Sequence, residues 1–202
     1  MDASTNGFQA EPREWAHRSL IAGAKMWCGA TAFFFAAFVF AYFYLKSLDE
    51  NHGWYVLHVG SKHISPSGGL GVSIMAVYLL SGVLLYLGSR RPADEVSTGV
   101  AAVILALAGV ALQFAEYSHL GFGPTSGGYA SVFFGWTATY ALGALWGIYW
   151  METTVAGLWR ARREGGSQDT IDLLRTGLGA CSICWSFFVA LGVLMFVVLY
   201  LI

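Results

Sequence analysis

The sequence contains few charged residues: only 11% of its 202 residues are Asp, Glu, Lys or Arg. A soluble domain carries about 25% charged residues, so this scarcity argues against a soluble globular protein. Hydrophobic residues make up 56% of the chain and aromatic residues 16%, which excludes an intrinsically disordered protein. The net charge is −1 and no basic tract is present, which argues against nucleic acid as a partner. With a mean hydropathy of +0.58, the composition predicts an integral membrane protein.

Residues for disulfide or metal chemistry are also scarce. Cys28, Cys181 and Cys184 all lie in apolar runs, so neither a disulfide framework nor a zinc site is indicated. The spacing of Cys181 and Cys184 is interpreted as core packing. The five histidines lie outside the apolar runs or at their edges, whereas haem and copper in membrane spans are ligated by histidines within the spans. We therefore predict that this chain binds no cofactor itself.

Five long apolar runs predict the fold. A helix needs about 20 apolar residues to cross the hydrocarbon core, and these runs lack the alternation typical of membrane strands. The prediction is an all-α protein, a bundle of five transmembrane helices. Residues 1–20 are assigned to a cytoplasmic N-terminal segment and 21–202 to the membrane domain, with spans at about 22–46, 69–89, 96–118, 128–158 and 174–202.

The distribution of basic residues predicts the orientation, because cytoplasmic loops of membrane proteins are enriched in Lys and Arg. The residues before the first uncharged run, which begins at Met26, and the connections after the second and fourth uncharged runs contain Arg13, Arg18, Lys25, Arg90, Arg91, Arg160, Arg162, Arg163 and Arg175. The other side has Lys46 and Lys62. This asymmetry places the N-terminus in the cytoplasm and the C-terminus outside.

Small residues recur along the fourth predicted helix. Ser131, Gly135, Thr139, Gly143 and Gly147 follow one another at intervals of four. Small residues at this interval let membrane helices approach closely. We predict that these five residues form one helix-packing stripe.

Polar residues near the end of the third predicted helix form a candidate site. Gln113 and Glu116 are three residues apart and share a helix face, and Tyr117 follows directly. Ionisable residues in membrane spans are functional suspects. We interpret Gln113, Glu116 and Tyr117 as a structural or lipid-associated polar site near the outer interface, and Glu152 as an interfacial acid that closes the fourth helix near the cytoplasmic surface.

Four segments, in this order along the chain, carry a family resemblance. They are Met26-Trp27 with Phe34-Phe35-Ala36-Ala37, the Gln113…Glu116-Tyr117 element, the run from Gly128 to Phe134, and the closing Trp185-Ser186-Phe187 with Tyr200-Leu201. Together with the five predicted spans, they resemble subunit III of the haem–copper respiratory oxidases, in its short five-helix form.

The resemblance implies an accessory subunit of a bacterial terminal oxidase in the inner membrane. In that family, haem and copper reside in subunit I, and the expected partners of this chain are subunits I and II and membrane phospholipid. The chain departs from the family where intramembrane Glu, His and Asp residues are replaced. These positions hold Thr31, Tyr140, Gly143, Ser186 and Val189. A proton-related role at these positions is therefore not expected.

Three alternatives to this interpretation stay open. One is a subunit III-like protein associated with nitric oxide reductase, and another is an assembly factor that binds an oxidase transiently. The third is a small membrane transporter, a class that usually shows broken helices or polar residues near the membrane midplane.

Overall fold

The computed structural model describes residues 13–49, 54, 57–59, 62–64 and 66–202. In this part of the chain, five helices form a bundle, accompanied by one short β-hairpin. The elements are α1 (Arg13–Ser47), β1 (Leu57–Val59), β2 (Lys62–Ile64), α2 (Gly68–Arg90), α3 (Glu95–His119), α4 (Gly128–Arg163), α5 (Gln168–Phe196) and a closing π-helical turn (Val197–Leu201).

The five predicted helices are all present, and the bounds of α2 and α3 differ from the predicted spans by one residue at each end. By contrast, α1 and α5 begin earlier and α4 ends later than predicted, because the helices continue into charged segments beyond the apolar runs. Residues 13–20 of the predicted N-terminal segment belong to α1, and residues 1–12 lie outside the described residues. The antiparallel hairpin, in which His58 pairs with His63, was not predicted because three-residue strands leave no periodic pattern.

Four stretches are long and apolar enough to cross a membrane: Glu14–Ser47, Gly68–Arg90, Glu95–His119 and Gln168–Leu201. They make the chain a multi-pass membrane protein. The helix α4 is not among the four, because its many Gly, Thr, Tyr and Trp residues lower its hydropathy.

Aromatic rings fill the space between the helices. Tyr140 of α4 stacks on Phe188 of α5 with ring centroids 4.3 Å apart, and Phe188 stacks on Trp185 at 5.7 Å. Tyr78 of α2 meets Tyr140 edge-on at 5.6 Å. All four rings are at least 98% buried, so α2, α4 and α5 share one core.

A buried polar contact joins α2, α3 and α5. The Ser81 hydroxyl donates to the backbone oxygen of Ala102 at 2.8 Å, and the Trp185 indole N–H donates to the Ser81 oxygen at 3.1 Å. A small hydroxyl thus satisfies an indole that burial would otherwise leave without a partner.

Candidate functional site

The Glu116 carboxylate is the centre of a buried hydrogen-bonded site. Gln113, one turn earlier on α3, donates from Nε2 to Oε2 at 3.0 Å. The Tyr200 hydroxyl, on the π-helical turn after α5, lies 2.7 Å from Oε1 and 2.8 Å from Oε2. Glu116 is 1% exposed and Gln113 is 2% exposed. Two residues that the sequence grouped by helical spacing are therefore joined by a third from the far end of the chain.

Neighbouring residues hold the Tyr200 ring over the carboxylate. The ring stacks on Phe196 with centroids 5.0 Å apart and meets Phe133 of α4 edge-on at 5.8 Å. On the α2 side it crosses Gly71, where a Cβ atom would lie only 2.7 Å from ring carbon Cε1. The absence of a side chain at position 71 is what allows this close approach.

Tyr117 takes a different direction from its two predicted companions. Its hydroxyl donates to Thr137 Oγ1 of α4 at 2.7 Å, and its ring packs against Phe134 with centroids 5.3 Å apart. The predicted trio therefore divides: Gln113 and Glu116 face α5, while Tyr117 fastens α3 to α4.

The arrangement suits a structural role. The single Tyr200 hydroxyl lies within hydrogen-bond distance of both oxygens of the Glu116 carboxylate, and Gln113 adds a second donor at Oε2. A buried acid satisfied in this way gains hydrogen bonds that offset its desolvation. Because the carboxylate joins α3 to the turn after α5, the geometry favours the structural reading of this site over the lipid-associated one.

The predicted packing stripe on α4 makes close contacts at its C-terminal half. A Cβ atom at Gly143 would lie 2.8 Å from the Phe188 ring, and one at Gly147 would lie 2.8 Å from the Trp185 ring. Both glycines thus admit aromatic rings of α5. In this half of the stripe, the backbone of α4 contacts aromatic side chains of α5.

The N-terminal half of the stripe turns away from α5. Ser131 and Gly135 are exposed and Thr139 is half-buried. The Ser131 hydroxyl donates to backbone oxygens of Pro124 and Gly127, which precede α4, and the Thr139 hydroxyl donates to the backbone oxygen of Gly135. Intervals of four overshoot the 3.6-residue helical turn by about 40° at each step, or about 160° from Ser131 to Gly147. This drift is why the five residues do not form the single seam that was predicted.

A second buried acid, Glu95, was not selected as a candidate from the sequence. It opens α3, is 2% exposed and forms ion pairs with Arg162 of α4 and with Arg175 of α5, the latter at 3.2 Å. Arg175 also pairs with Asp172 at 3.3 Å. This ion-pair group connects three helices at the end of the bundle where most of the basic residues lie.

Glu152 does not end the fourth helix. The sequence suggested that it closes the fourth helix, but α4 continues to Arg163. At 1.5 Å per residue, Glu152 lies about 15 Å along the helix from Arg162, the partner of Glu95. The uncharged run ends at Met151 because a single exposed acid, Glu152, lies within the helix.

An aromatic cavity of about 540 Å³ opens between α1 and the C-terminal half of α4. Its walls include the rings of Trp27, Trp146, Tyr149 and Trp150. Trp146 and Tyr149 are about 60% exposed. Tryptophan and tyrosine rings of this kind are typical of membrane interfaces.

Among residues 13–49, 54, 57–59, 62–64 and 66–202, no three His, Cys, Asp or Glu side chains are grouped so that they could hold a metal ion. No protein-family model matches the chain. No curated protein matches it either.

Proposed function

We propose that this chain is an accessory subunit III of a bacterial haem–copper terminal oxidase, located in the inner membrane and free of cofactors of its own. The observation that carries the proposal is the contact between Glu116 and Tyr200. These two residues belong to separate segments that resemble the family, 84 positions apart, and they meet in one buried site. Contact between two segments that each resemble the family supports the proposed relation to that family better than either segment does alone.

The packed interior favours an accessory subunit over a transporter. The rings of Tyr78, Tyr140, Trp185 and Phe188 lie against one another between α2, α4 and α5. A transport path needs polar groups or unwound backbone near the midplane. Here the space between α2, α4 and α5 is filled by packed aromatic side chains.

In this proposal α4 crosses the membrane together with the four more apolar helices, giving five spans. The ion pairs of Glu95 with Arg162 and Arg175 gather the ends of α3, α4 and α5 on one side. Most Lys and Arg residues belong to that side, which the positive-inside rule assigns to the cytoplasm. The N-terminus is then cytoplasmic and the C-terminus external.

Two kinds of partner follow from the proposal. Subunits I and II would carry the haems and copper and perform oxygen reduction, while this chain stabilises the complex. Phospholipid would occupy the cavity between α1 and α4, where Trp27, Trp146 and Trp150 offer apolar walls for an acyl chain and rings suited to the interface.

Purification in mild detergent tests the proposal against its alternatives. A tagged chain from its native membranes should be recovered at fixed stoichiometry with a haem-containing complex that reduces oxygen. A haem-free homo-oligomer would support transport and overturn the proposal. Substoichiometric, salt-sensitive recovery of an oxidase would instead identify an assembly factor, and a complex that reduces nitric oxide but not oxygen would identify the other family branch.

A further inference from the structure

Two cysteine thiols from different helices meet where α1 packs on α5. The Cys184 thiol of α5 donates to the backbone oxygen of Ala24 on α1 at 3.5 Å. Cys28 lies four residues after Ala24 and therefore shares its helix face. It packs against Ala24, Ala180 and Cys184, and its thiol interacts directly with the Cys184 thiol. Neither thiol takes part in the polar sites described above.

Small side chains bring the two helices together at this point. Ala24 is 3% exposed and Ala180 is 0% exposed, and each contributes only a methyl group to the contact. Small residues allow helices in a membrane to approach closely. A disulfide forms only between cysteines whose backbones are close and whose side chains point toward each other. The direct contact of the Cys28 and Cys184 thiols meets the second condition, and the alanines around them favour the first.

The two thiols differ in exposure. Cys28 is partly buried, whereas Cys184 is 3% exposed. The cavity between α1 and α4 reaches Trp27, the neighbour of Cys28 along the chain. Cys184 lines a narrow space that also includes Trp27. This arrangement admits a small uncharged molecule to Cys28 before it reaches Cys184.

The third cysteine has a different environment. Cys181 lies on α5 one turn before Cys184 and is 1% exposed. It belongs to the main core of the bundle, whereas Cys184 belongs to the small cluster packed against α1. Cys181 therefore serves as an internal control for a reaction between Cys28 and Cys184.

We propose that Cys28 and Cys184 form a redox-responsive site, at which hydrogen peroxide oxidises the two thiols to a disulfide that joins α1 to α5. Peroxide is small and uncharged, as access to partly buried thiols requires. The link would hold the least buried of the four most apolar helices, since 11% of the apolar stretch of α1 is buried, against 56% of that of α5. This inference does not rest on the proposed function, because it concerns contacts within the chain.

The reaction takes place in two balanced steps. In the first, Cys28 loses its proton and its sulfur attacks one oxygen of peroxide. The O–O bond breaks, and the departing hydroxide takes up the proton as water, which leaves Cys28 as a sulfenic acid. In the second, the Cys184 sulfur attacks the Cys28 sulfur, and the sulfenic hydroxyl leaves with the Cys184 proton as a second water. The two sulfurs together lose two electrons, which peroxide gains, and dithiothreitol reverses the link by thiol–disulfide exchange.

Counting the free thiols before and after oxidation tests the site. The purified full-length chain is treated with hydrogen peroxide, unfolded and alkylated with a maleimide, and its mass is then measured. We expect the number of alkylated cysteines to fall from three to one, and to return to three after dithiothreitol. Peptide mass mapping should identify Cys28 linked to Cys184, with Cys181 alkylated. Membranes treated before extraction should give the same linked peptide.

Cysteine variants separate the pair from the third thiol. Cys181→Ala should still form the link, so that neither remaining thiol is alkylated after peroxide. Cys28→Ser and Cys184→Ala should give no linked peptide at the same peroxide concentration. Cys28→Ser exchanges a single atom at a partly buried position, so this variant and the wild-type peptide map decide the question even if Cys184→Ala fails to fold.

The link should also raise the stability of the chain, because a disulfide restricts the unfolded state. Tryptophan fluorescence should show oxidised wild-type protein unfolding roughly 5–10 °C above the reduced protein. Cys28→Ser should unfold at the same temperature before and after peroxide. Equal temperatures for oxidised and reduced wild-type protein would show that the link does not hold α1 to the bundle.

Several outcomes would overturn the site. These are three alkylated cysteines after peroxide, loss of thiols without a linked peptide, and a link that includes Cys181. A crosslink only between the Cys28 residues of two chains would also overturn it, because the thiol would then react outside the bundle. The Cys28–Cys184 link in a chain that purifies without a haem complex would refute the oxidase assignment and leave this inference standing.

Discussion

Replacing Tyr200 with Phe removes one hydroxyl and leaves the aromatic ring in place. That hydroxyl is the donor that α5 and its closing turn supply to Glu116, at 2.7 and 2.8 Å from the two carboxylate oxygens. The remaining donor is Gln113 on α3 itself. Hydrogen bonds to charged groups contribute about 1.5–3 kcal/mol, whereas those between membrane helices average about 0.6 and reach about 1.7 kcal/mol. Since Glu116 is 1% exposed and loses its interhelical donor, we expect a destabilisation of about 2 kcal/mol.

Thermal unfolding in detergent measures this loss. Two of the three cysteines, Cys181 and Cys184, are buried, so a thiol-reactive dye reports the opening of the bundle. A loss of 2 kcal/mol in a chain of this size should lower the apparent unfolding temperature by roughly 4–8 °C. Tyr44→Phe, which removes a hydroxyl from a ring that is 53% exposed, is the matched control and should leave the temperature unchanged.

Equal unfolding temperatures for Tyr200→Phe and Tyr44→Phe would refute the assignment of Glu116 as a fastening point between α3 and α5. The same reasoning predicts a mild effect for Glu116→Gln, which keeps the shape and part of the hydrogen bonding. In the proposed oxidase complex, this variant should consume oxygen and pump protons at near wild-type ratios. A collapse of the proton-to-electron ratio with the complex intact would show that the site conducts protons.

Three further predictions concern other parts of the bundle. Gly143→Leu should destabilise the chain by about 1–3 kcal/mol, because the new side chain overlaps the Phe188 ring of α5. The destabilised chain should also be lost from the purified complex. Gly179→Ala, with open space at its Cβ position, is the control in the same thermal assay. Glu95→Gln should cost about 1.5–3 kcal/mol because two partly exposed arginines lose their hydrogen bonds to a charged acceptor, while the exposed Glu164→Gln should leave the unfolding temperature within error. A periplasmic reporter fused after Ile202 should be active, and silence there would overturn the proposed orientation.

The helices could be predicted from the sequence because the main signal is local. Uncharged runs fixed α2 and α3 to within one residue at each end, and the three-residue spacing correctly placed Gln113 and Glu116 on one face. The extensions of α1, α4 and α5 into charged segments were missed because hydropathy reports the apolar core of a helix and not its hydrogen-bonded ends.

Contacts between distant residues could not be predicted in the same way. Glu95 finds Arg162 and Arg175 at separations of 67 and 80 residues, and no local pattern encodes such pairs. Glu95 directly precedes the third predicted span, and nothing in the sequence around it selected it as a candidate. The stripe from Ser131 to Gly147 failed as a single seam for a geometric reason, since a four-residue interval does not match the helical turn.

The separation between Glu116 and Tyr200 also has a consequence for biosynthesis. Translation proceeds at about 5–20 residues per second, so the 84 positions between them take roughly 4–17 s to synthesise. During that interval α3 enters the bilayer before its tyrosine partner exists. Gln113, already one turn away on the same helix, is the donor present from the start. It would serve as the hydrogen-bond donor to the carboxylate until Tyr200 has been synthesised and joins the turn after α5 to α3.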